Sequence, residues 1–271
     1  MEYLDANGFP RNFGSHTGKD AIKVGIPPIT GAPGFRLYTS EQIKQLIGHP
    51  ERTDLESLLP FDRYGTDQHA TSACNGHMGS GLLTVLRRLR GVDDGWVGSG
   101  SYLYSLINDG VDRGSGLGPG MQALMRYGTT SQILSPWDRI FQSQQSAAAK
   151  ADAANHKLLG GYHCTSEAEF WSSLADGKPC GVCVHVGRNF KSIDTDGVAG
   201  VDEGVGNHAV LALPKVRYNT RRGRYECRMR NSWGSQFGDN GHVWLHWGHF
   251  KTPFRYHDFY TGASSVEGAG K

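Results

Sequence analysis

No apolar run in this chain approaches the ~18 residues that a membrane-spanning helix needs. The start, "MEYLDANGFPRN", has neither a basic cluster nor an apolar stretch, so it does not read as a secretory leader. An excess of one charge is lacking too. The 28 Lys and Arg against 26 Asp and Glu leave a net charge of +2, which makes no electrostatic case for nucleic acid. Five cysteines, an odd number, do not suit a disulfide framework. Together these absences point to a cytoplasmic protein, or one inside an intracellularly assembled particle, with free thiols and neither membrane nor nucleic acid as partner.

What is present is enough for a sizeable core. A hydrophobic share of 38% over 271 residues suits one large domain, or two subdomains sharing a cleft. The 38 glycines far exceed the usual ~7% and show no fixed period, so they imply many tight turns.

Residues 1–58 read as a Gly- and Pro-rich arm, or irregular strap, ending in one short helix. "TSEQIKQLIG" carries Thr39 and Gln42 at capping-box spacing, with Gly48 as its stop. Residues 59–155 read as helical. From Cys74 the apolar Met78, Leu82, Leu83, Val85, Leu86 and Leu89 recur at helical spacing until Gly91. "SGSYLYSLIND" and "MQALMRYG" predict two short helices, separated by the loop "GVDRGSGLGPG". "WDRIFQSQQSAAAKADAANHKLL" predicts a longer polar one. Residues 156–262 read as β-rich. A capped helix opens at Ser166 and Glu169 and stops at Gly177, then strands follow in "CGVCVHV", "HAVLALPKVRY", "RYECRMRNS" and "GHVWLHW". Residues 263–271 read as a disordered tail.

A thiol at a helix N-terminus feels unpaired backbone N–H groups, which favour thiolate and make a nucleophile. Cys74 has that position, although on this evidence alone it reads as a small buried core residue rather than a reactive one. His208 opens an apolar strand in "GNHAVLAL", and Asn231 follows another in "RNSWGSQFGDNGHVWL". Taken singly, the histidine reads as structural and the asparagine as a turn residue. Taken in order, Cys, His and Asn form a nucleophile, a base and an orienting group. His208 and Asn231 lie 134 and 157 residues downstream (positions 208 and 231 against 74).

On these motifs the sequence resembles the papain-like cysteine peptidases over roughly residues 59–247. Gln68 precedes Cys74 by six residues, Cys74 starts a helix, "NHAV" contains His208, and "NSWG" with "GDNGHVWL" supplies Asn231 and Trp233. The family places its histidine and asparagine about 130–150 residues after the cysteine. The resemblance implies an α+β papain-like fold, with a helical lobe and a β-barrel-like lobe facing each other across a cleft. It implies that Cys74 attacks a peptide or protein carbonyl, and that His208 pairs with it as imidazolium. Asn231 would orient the ring, Trp233 would shield it, and Gln68 with the Cys74 N–H would form the oxyanion hole. Ser115, Gly116 and Leu117 would fall on the substrate wall. No cofactor or metal is implied.

The chain departs from the family's Cys-Gly-Ser/Ala-Cys-Trp/Tyr signature, reading Thr71-Ser72-Ala73-Cys74-Asn75. The missing first cysteine removes a disulfide, and Asn75 leaves room or polarity where an aromatic ring packs. Only 73 residues precede Cys74, and they read as the arm rather than a large helical propeptide. These departures motivate an alternative function. The fold would then be a catalytically weak or idle scaffold, joined through its arm to a larger protein assembly such as a virus particle.

Other motifs read as structural. In "PCGVCVH" a strand would point Cys180 and Cys183 to opposite faces, which disfavours zinc. The acidic "DTDGVAGVDEG" lacks EF-hand order and reads as a surface loop. "GSGLGPG" has no Lys-Ser/Thr after it and is no phosphate loop. The basic run 221–230 reads as a solvated hairpin.

Overall fold

Reciprocal hydrogen bonds start the first of the described α-helices. The Thr39 hydroxyl accepts from the Gln42 N–H, and the Gln42 side chain accepts from the Thr39 N–H. In this computed structural model, which describes residues 3–4, 10–16, 25–48, 66–92, 94–254 and 259–262, that cap opens α1 (Ser40–Ile47), and Gly48 closes it. The loop before residue 66 and the tail 263–271 lie outside the described residues.

The next described α-helix, α2 (Cys74–Leu89), is buried almost throughout, as a helix between two lobes must be. Its glycines permit this. A methyl group on Gly76 would sit 2.1 Å from the Gly100 carbonyl oxygen, so α3 (Gly100–Ser105) packs directly on its backbone. Gly91 takes φ +78° after the last turn, where Arg87 pairs with Asp94 and lies over the Trp96 ring.

Two helical expectations shift. α4 spans Leu117–Arg126, beginning four residues before the pattern places it, because Pro119 is tolerated in a first turn. The long polar helix shrinks to α5 (Ala147–Ala154), capped by the Ser146 hydroxyl. Upstream of it, Ile140 is buried, and the Gln145 side chain donates to the Arg139 carbonyl across an irregular turn. Packing overrides helical propensity there.

Beyond residue 156 lies one antiparallel sheet. Among the described residues, four short strands precede it in the chain: β1 (Tyr3–Leu4) pairs with β2 (Pro10–Arg11), and β3 (Ser15–His16) pairs parallel with β4 (Ser115–Gly116). The sheet contains β5 (Gly161–His163), β6 (Cys180–Val184), β7 (His208–Asn219), β8 (Arg224–Arg230), β9 (His242–His246) and β10 (Phe259–Gly262). Their order is β5-β10-β6-β7-β8-β9. Helices α6 (Glu167–Ala175) and α7 (Trp247–Phe254) pack on it. Ser166 caps α6, but the Glu169 carboxylate accepts from Thr165 rather than closing the box on Ser166. β5, α7 and β10 are elements that periodicity does not reveal.

Strand alternation divides the interior into two cores. Ala209, Leu211 and Leu213 of β7 join Leu82, Leu83 and Met78 of α2, whereas Val210 and Ala212 join Phe170, Trp171 and Phe250. Cys180 and Cys183 fall in different cores for the same reason. The basic hairpin is solvated only at its tip, where Arg221 and Arg222 pair with Asp196 and Asp194. Further along β8, Glu226 is fully buried between Arg217 and Arg224, and Arg228 and Arg230 are buried as well. Among the described residues, no helix is long and apolar enough to cross a membrane.

Gly76→Ala should force α2 and α3 apart, because the obstructing atom is backbone. The expected cost of such overpacking is about 1–3 kcal/mol. Thermal denaturation of the two proteins should show a fall in Tm of several degrees; an unchanged Tm would mean that the helices are not packed this closely.

Candidate active site

Register brings the sequence-distant residues together. β7 pairs with β8 as Leu211 with Arg230 and Ala212 with Met229. Continued beyond the strand, that register sets His208 level with Trp233, and Asn231 falls between Arg230 and that position. The rings of His208 and Trp233 stack with centroids 4.8 Å apart. His208 Nε2 donates to Asn231 Oδ1 at 2.7 Å, which leaves Nδ1 with no hydrogen-bond partner among the described residues. On the facing lobe, Cys74 is the first residue of α2. The Ala209 N–H, adjacent to His208, lies 3.5 Å from its sulfur.

Gln68 reaches the same place from the loop before α2. Its N–H donates to the Ser232 carbonyl and its Oε1 accepts from the Ser232 hydroxyl at 2.6 Å, tying it to the loop that carries Asn231. Its side-chain NH₂ donates to the Thr71 carbonyl at 2.7 Å and the Asn12 carbonyl at 3.2 Å.

That second acceptor belongs to a segment that the sequence does not place. Residues 10–16 run through the cleft. Arg11 pairs with Asp67 at 2.5 Å and donates to the Trp233 carbonyl. Asn12 donates to the Ala70 carbonyl, and Phe13 meets His208 edge-on at 6.1 Å. The Gly14 carbonyl accepts from the Ser115 N–H at 2.6 Å, and a methyl group on Gly14 would collide with the Ser72 carbonyl at 1.8 Å. Ser15 Oγ and Cys183 Sγ are 3.2 Å apart. Cys74, His208 and Gln68 consequently have no exposed surface.

Water removal decides the charge state. Burial pushes the Cys74 thiol up, against the opposing pull of backbone N–H groups from Ala209, Gly14 and the helix start. Burial also pushes His208 down to about 4. The Asn231 hydrogen bond opposes that fall and the Arg11 charge reinforces it. Both shifts favour the neutral thiol and the neutral imidazole in the closed cleft, against the thiolate and imidazolium that the resemblance implies. The expectation omitted the segment that excludes solvent.

The remaining expected residues are placed as follows. Trp233 is buried against His208, Phe13, Phe190 and Phe237. Ser115 and Gly116 flank the segment in the cleft, whereas the Leu117 side chain points into the core around α2. Asn75 opens no space. It donates to Ser115 Oγ at 3.1 Å and to the Gly116 carbonyl, fastening α2 to that wall. Among the described residues, no three His, Cys, Asp or Glu side chains gather to hold a metal ion. Asp202 of the acidic loop instead accepts from the Gly187, Asn189 and Phe190 N–H groups. Arg11, Asn12, Gly14 and Asp67 are site residues that sequence reasoning missed. They lie in irregular backbone, where no periodicity marks them.

Comparison with known proteins bears on this geometry. No curated protein matches the chain in sequence. Solved structures share its fold at low identity. A cysteine protease from Xylella fastidiosa, xylellain, is 19% identical with a TM-score of 0.62, covering 94% of this chain and 98% of its own. Procathepsin B S9 from Trypanosoma congolense is 17% identical with a TM-score of 0.64, covering 94% and 87%. The proform of Amb a 11, a ragweed pollen cysteine protease, is 17% identical with a TM-score of 0.61, covering 74% and 61%. The family model described as papain family cysteine protease matches residues 69–253, a span that contains the thiol, imidazole and amide just described. With that pattern over most of its length and the two-lobed fold to match, this chain belongs to the papain family of cysteine proteases.

Proposed function

We propose that this protein hydrolyses peptide or protein amide bonds through Cys74, His208 and Asn231, and that residues 10–16 hold it latent until they leave the cleft. The observation that carries this proposal is the 2.7 Å hydrogen bond from His208 Nε2 to Asn231 Oδ1. It fixes the ring so that Nδ1 is the nitrogen available to the thiol, whose sulfur touches the next residue's N–H.

With the cleft open and rehydrated, the Cys74 proton passes to His208 Nδ1 and the thiolate attacks the substrate carbonyl carbon. The carbonyl oxygen becomes an oxyanion, which the Gln68 side-chain NH₂ and the Cys74 N–H stabilise. One such donor is worth about 2.7–4 kcal/mol of barrier. The C–N bond breaks as His208 returns the proton to the leaving amine, giving a thioester. Water, deprotonated by His208, then attacks the thioester, releasing the acid and restoring the thiol. Asn231 holds the imidazole in this orientation and Trp233 covers their hydrogen bond.

Residues 10–16 occupy the groups a substrate would use. The Asn12 carbonyl takes a Gln68 N–H, and the Gly14 carbonyl takes the Ser115 N–H. We assign Ser115 and Gly116 to substrate backbone contact and Leu117 to the apolar support behind them.

The sealed thiol also favours a second reading, an idle scaffold whose arm never leaves and which acts by binding or within a larger assembly. Chemical labelling distinguishes the two. A peptidyl epoxide should modify Cys74 stoichiometrically in the wild type and in Cys227→Ala, and should label nothing in Cys74→Ala. Peptide hydrolysis should disappear in Cys74→Ala alone. No modification of Cys74 after prolonged exposure at neutral pH, with no hydrolysis, would leave the scaffold reading standing.

Loosening the segment should release the site. Arg11→Ala deletes the ion pair with Asp67 and the bond to the Trp233 carbonyl. The Cys74 alkylation rate should rise about tenfold for each 1.4 kcal/mol lost from the closed state. An unaltered rate would show that something else gates the thiol.

Acid should also favour opening. The closed-state His208 titrates near 4, below an ordinary histidine at about 6.5. An imidazole restored to its ordinary value on opening binds more protons than the closed form between those values. The closed form then loses stability as pH falls from 6.5 towards 4, by an amount on the order of 3 kcal/mol. Arg11, the charged group facing that ring, adds to the repulsion. Hydrogen exchange at residues 10–16, corrected for intrinsic rates, should therefore accelerate between pH 7 and 5; a flat profile would contradict this assignment.

A further inference from the structure

We infer that Asp67 is a specificity-determining residue, which selects substrates carrying an arginine or lysine just after the bond to be cleaved. This selection presupposes the hydrolase reading above, to which it adds the chemistry of the leaving half.

The chain's own segment shows what this place holds. The Arg11 guanidinium donates to Asp67 Oδ1 at 2.5 Å and to the Trp233 carbonyl at 3.0 Å, and its side chain is only 4% exposed. One charged and one neutral acceptor thus close around a planar fork of donors. An isolated antiparallel bridge between Asp67 and Trp233 holds the two acceptors side by side. The carboxylate is itself fixed. Its Oδ1 accepts from the His69 N–H at 2.7 Å, and its Oδ2 lies so near Gly234 that a methyl group there would stand 2.8 Å away. Gly234 also takes φ +76°, a conformation that suits glycine. Both acceptors belong to the scaffold and stay when residues 10–16 leave. The Asp67 side chain is 30% exposed even beneath Arg11, so solvent already reaches its edge. The Trp233 carbonyl then loses a buried hydrogen bond, which a new donor would restore.

Position decides which half of a substrate meets Asp67. Arg11 at Asp67 and Ser15 at Ser115 mark the two ends of the occluded stretch. Between them, the Asn12 carbonyl takes the Gln68 side-chain NH₂ and the Gly14 N–H bonds the Cys74 sulfur. With the Ser115 wall holding the acyl half, Asp67 lies past the oxyanion donor, on the amine half. That is the half His208 serves, because it returns a proton to the leaving nitrogen. Trp233, whose ring stacks on His208, supplies the second acceptor beside Asp67. A carboxylate at this point attracts a cationic side chain and repels an acidic one.

Quenched fluorescent peptides test this. They share one acyl half and carry Arg, citrulline or Glu at the first or the second residue after the scissile bond. Citrulline keeps the shape of arginine without its charge. At one of the two positions, kcat/KM for Arg should exceed that for citrulline about fivefold or more, with Glu lowest. In Asp67→Asn the Arg-to-citrulline ratio should fall to near one. That variant also loses the Arg11 ion pair, but both peptides meet the same open molecules, so the open fraction cancels in the ratio. Equal kcat/KM for Arg and citrulline at both positions in the wild type would overturn the selection while leaving the hydrolase intact, and this comparison needs no variant to fold. An unchanged ratio in folded Asp67→Asn would overturn the assignment to Asp67. No cleavage of any peptide, by the wild type or by Arg11→Ala, would overturn the hydrolase reading and this selection with it.

Discussion

The antiparallel pairing of β7 with β8 is the constraint on which the rest depends. With Leu211 opposite Arg230, His208 and Trp233 must lie side by side, and Asn231 must reach the ring. A one-residue slip would turn every side chain of β7 to the other face. Ala209, Leu211 and Leu213 would leave α2, and His208 would leave the cleft. The apolar residues on both faces of β7 thus secure the geometry of a polar pair at its end. Burial of the two cores supplies the energy, and the imidazole orientation follows from it.

Facing that pair, α2 presents sulfur at its positive end, yet the structure withholds the charge separation this arrangement favours. Helix-end N–H groups stabilise thiolate by an amount that loss of hydration exceeds. Residues 10–16 cause that loss. They achieve it with backbone groups, since Asn12 and Gly14 present carbonyls to donors already fixed by the scaffold. The half-buried Arg11–Asp67 pair anchors one end of the segment, and the short parallel pairing of Ser15–His16 with Ser115–Gly116 anchors the other.

Much of this was legible in the chain. Cys74 at a helix start, His208 opening an apolar strand and "NSWG" after another are local signals, each tied to an element whose periodicity is strong. The structure brings those residues together. Capping by Thr39 and Ser166 was readable because side chain and partner are three residues apart. Residues 10–16 were not readable beyond their irregularity, since their partners lie 56 to 222 positions away and follow no period. The part played by Asn75 is illegible in the sequence for a related reason. Its role depends on Ser115 and Gly116, which only the fold brings near. The stretch before Ala147 looked helical because its composition allows a helix, while the burial of Ile140 and the side-chain bond of Gln145 favour another path. β5 and β10 are too short for alternation to show, and the neutral state of the thiol and imidazole depends on solvent exclusion by a distant segment.

One feature of the sheet bears on how the molecule comes into being. β10 sits between β5 and β6, so the latest of the described strands in chain order is an interior one. A nascent chain leaves the ribosome from its N-terminus. Until residues 259–262 emerge from the exit tunnel, β5 has no neighbour within the sheet and the edge of β6 stays open. The sheet is therefore completed only once residues 259–262 have been made, and a chain cut short before them would have its sheet end at β6 with that edge uncovered.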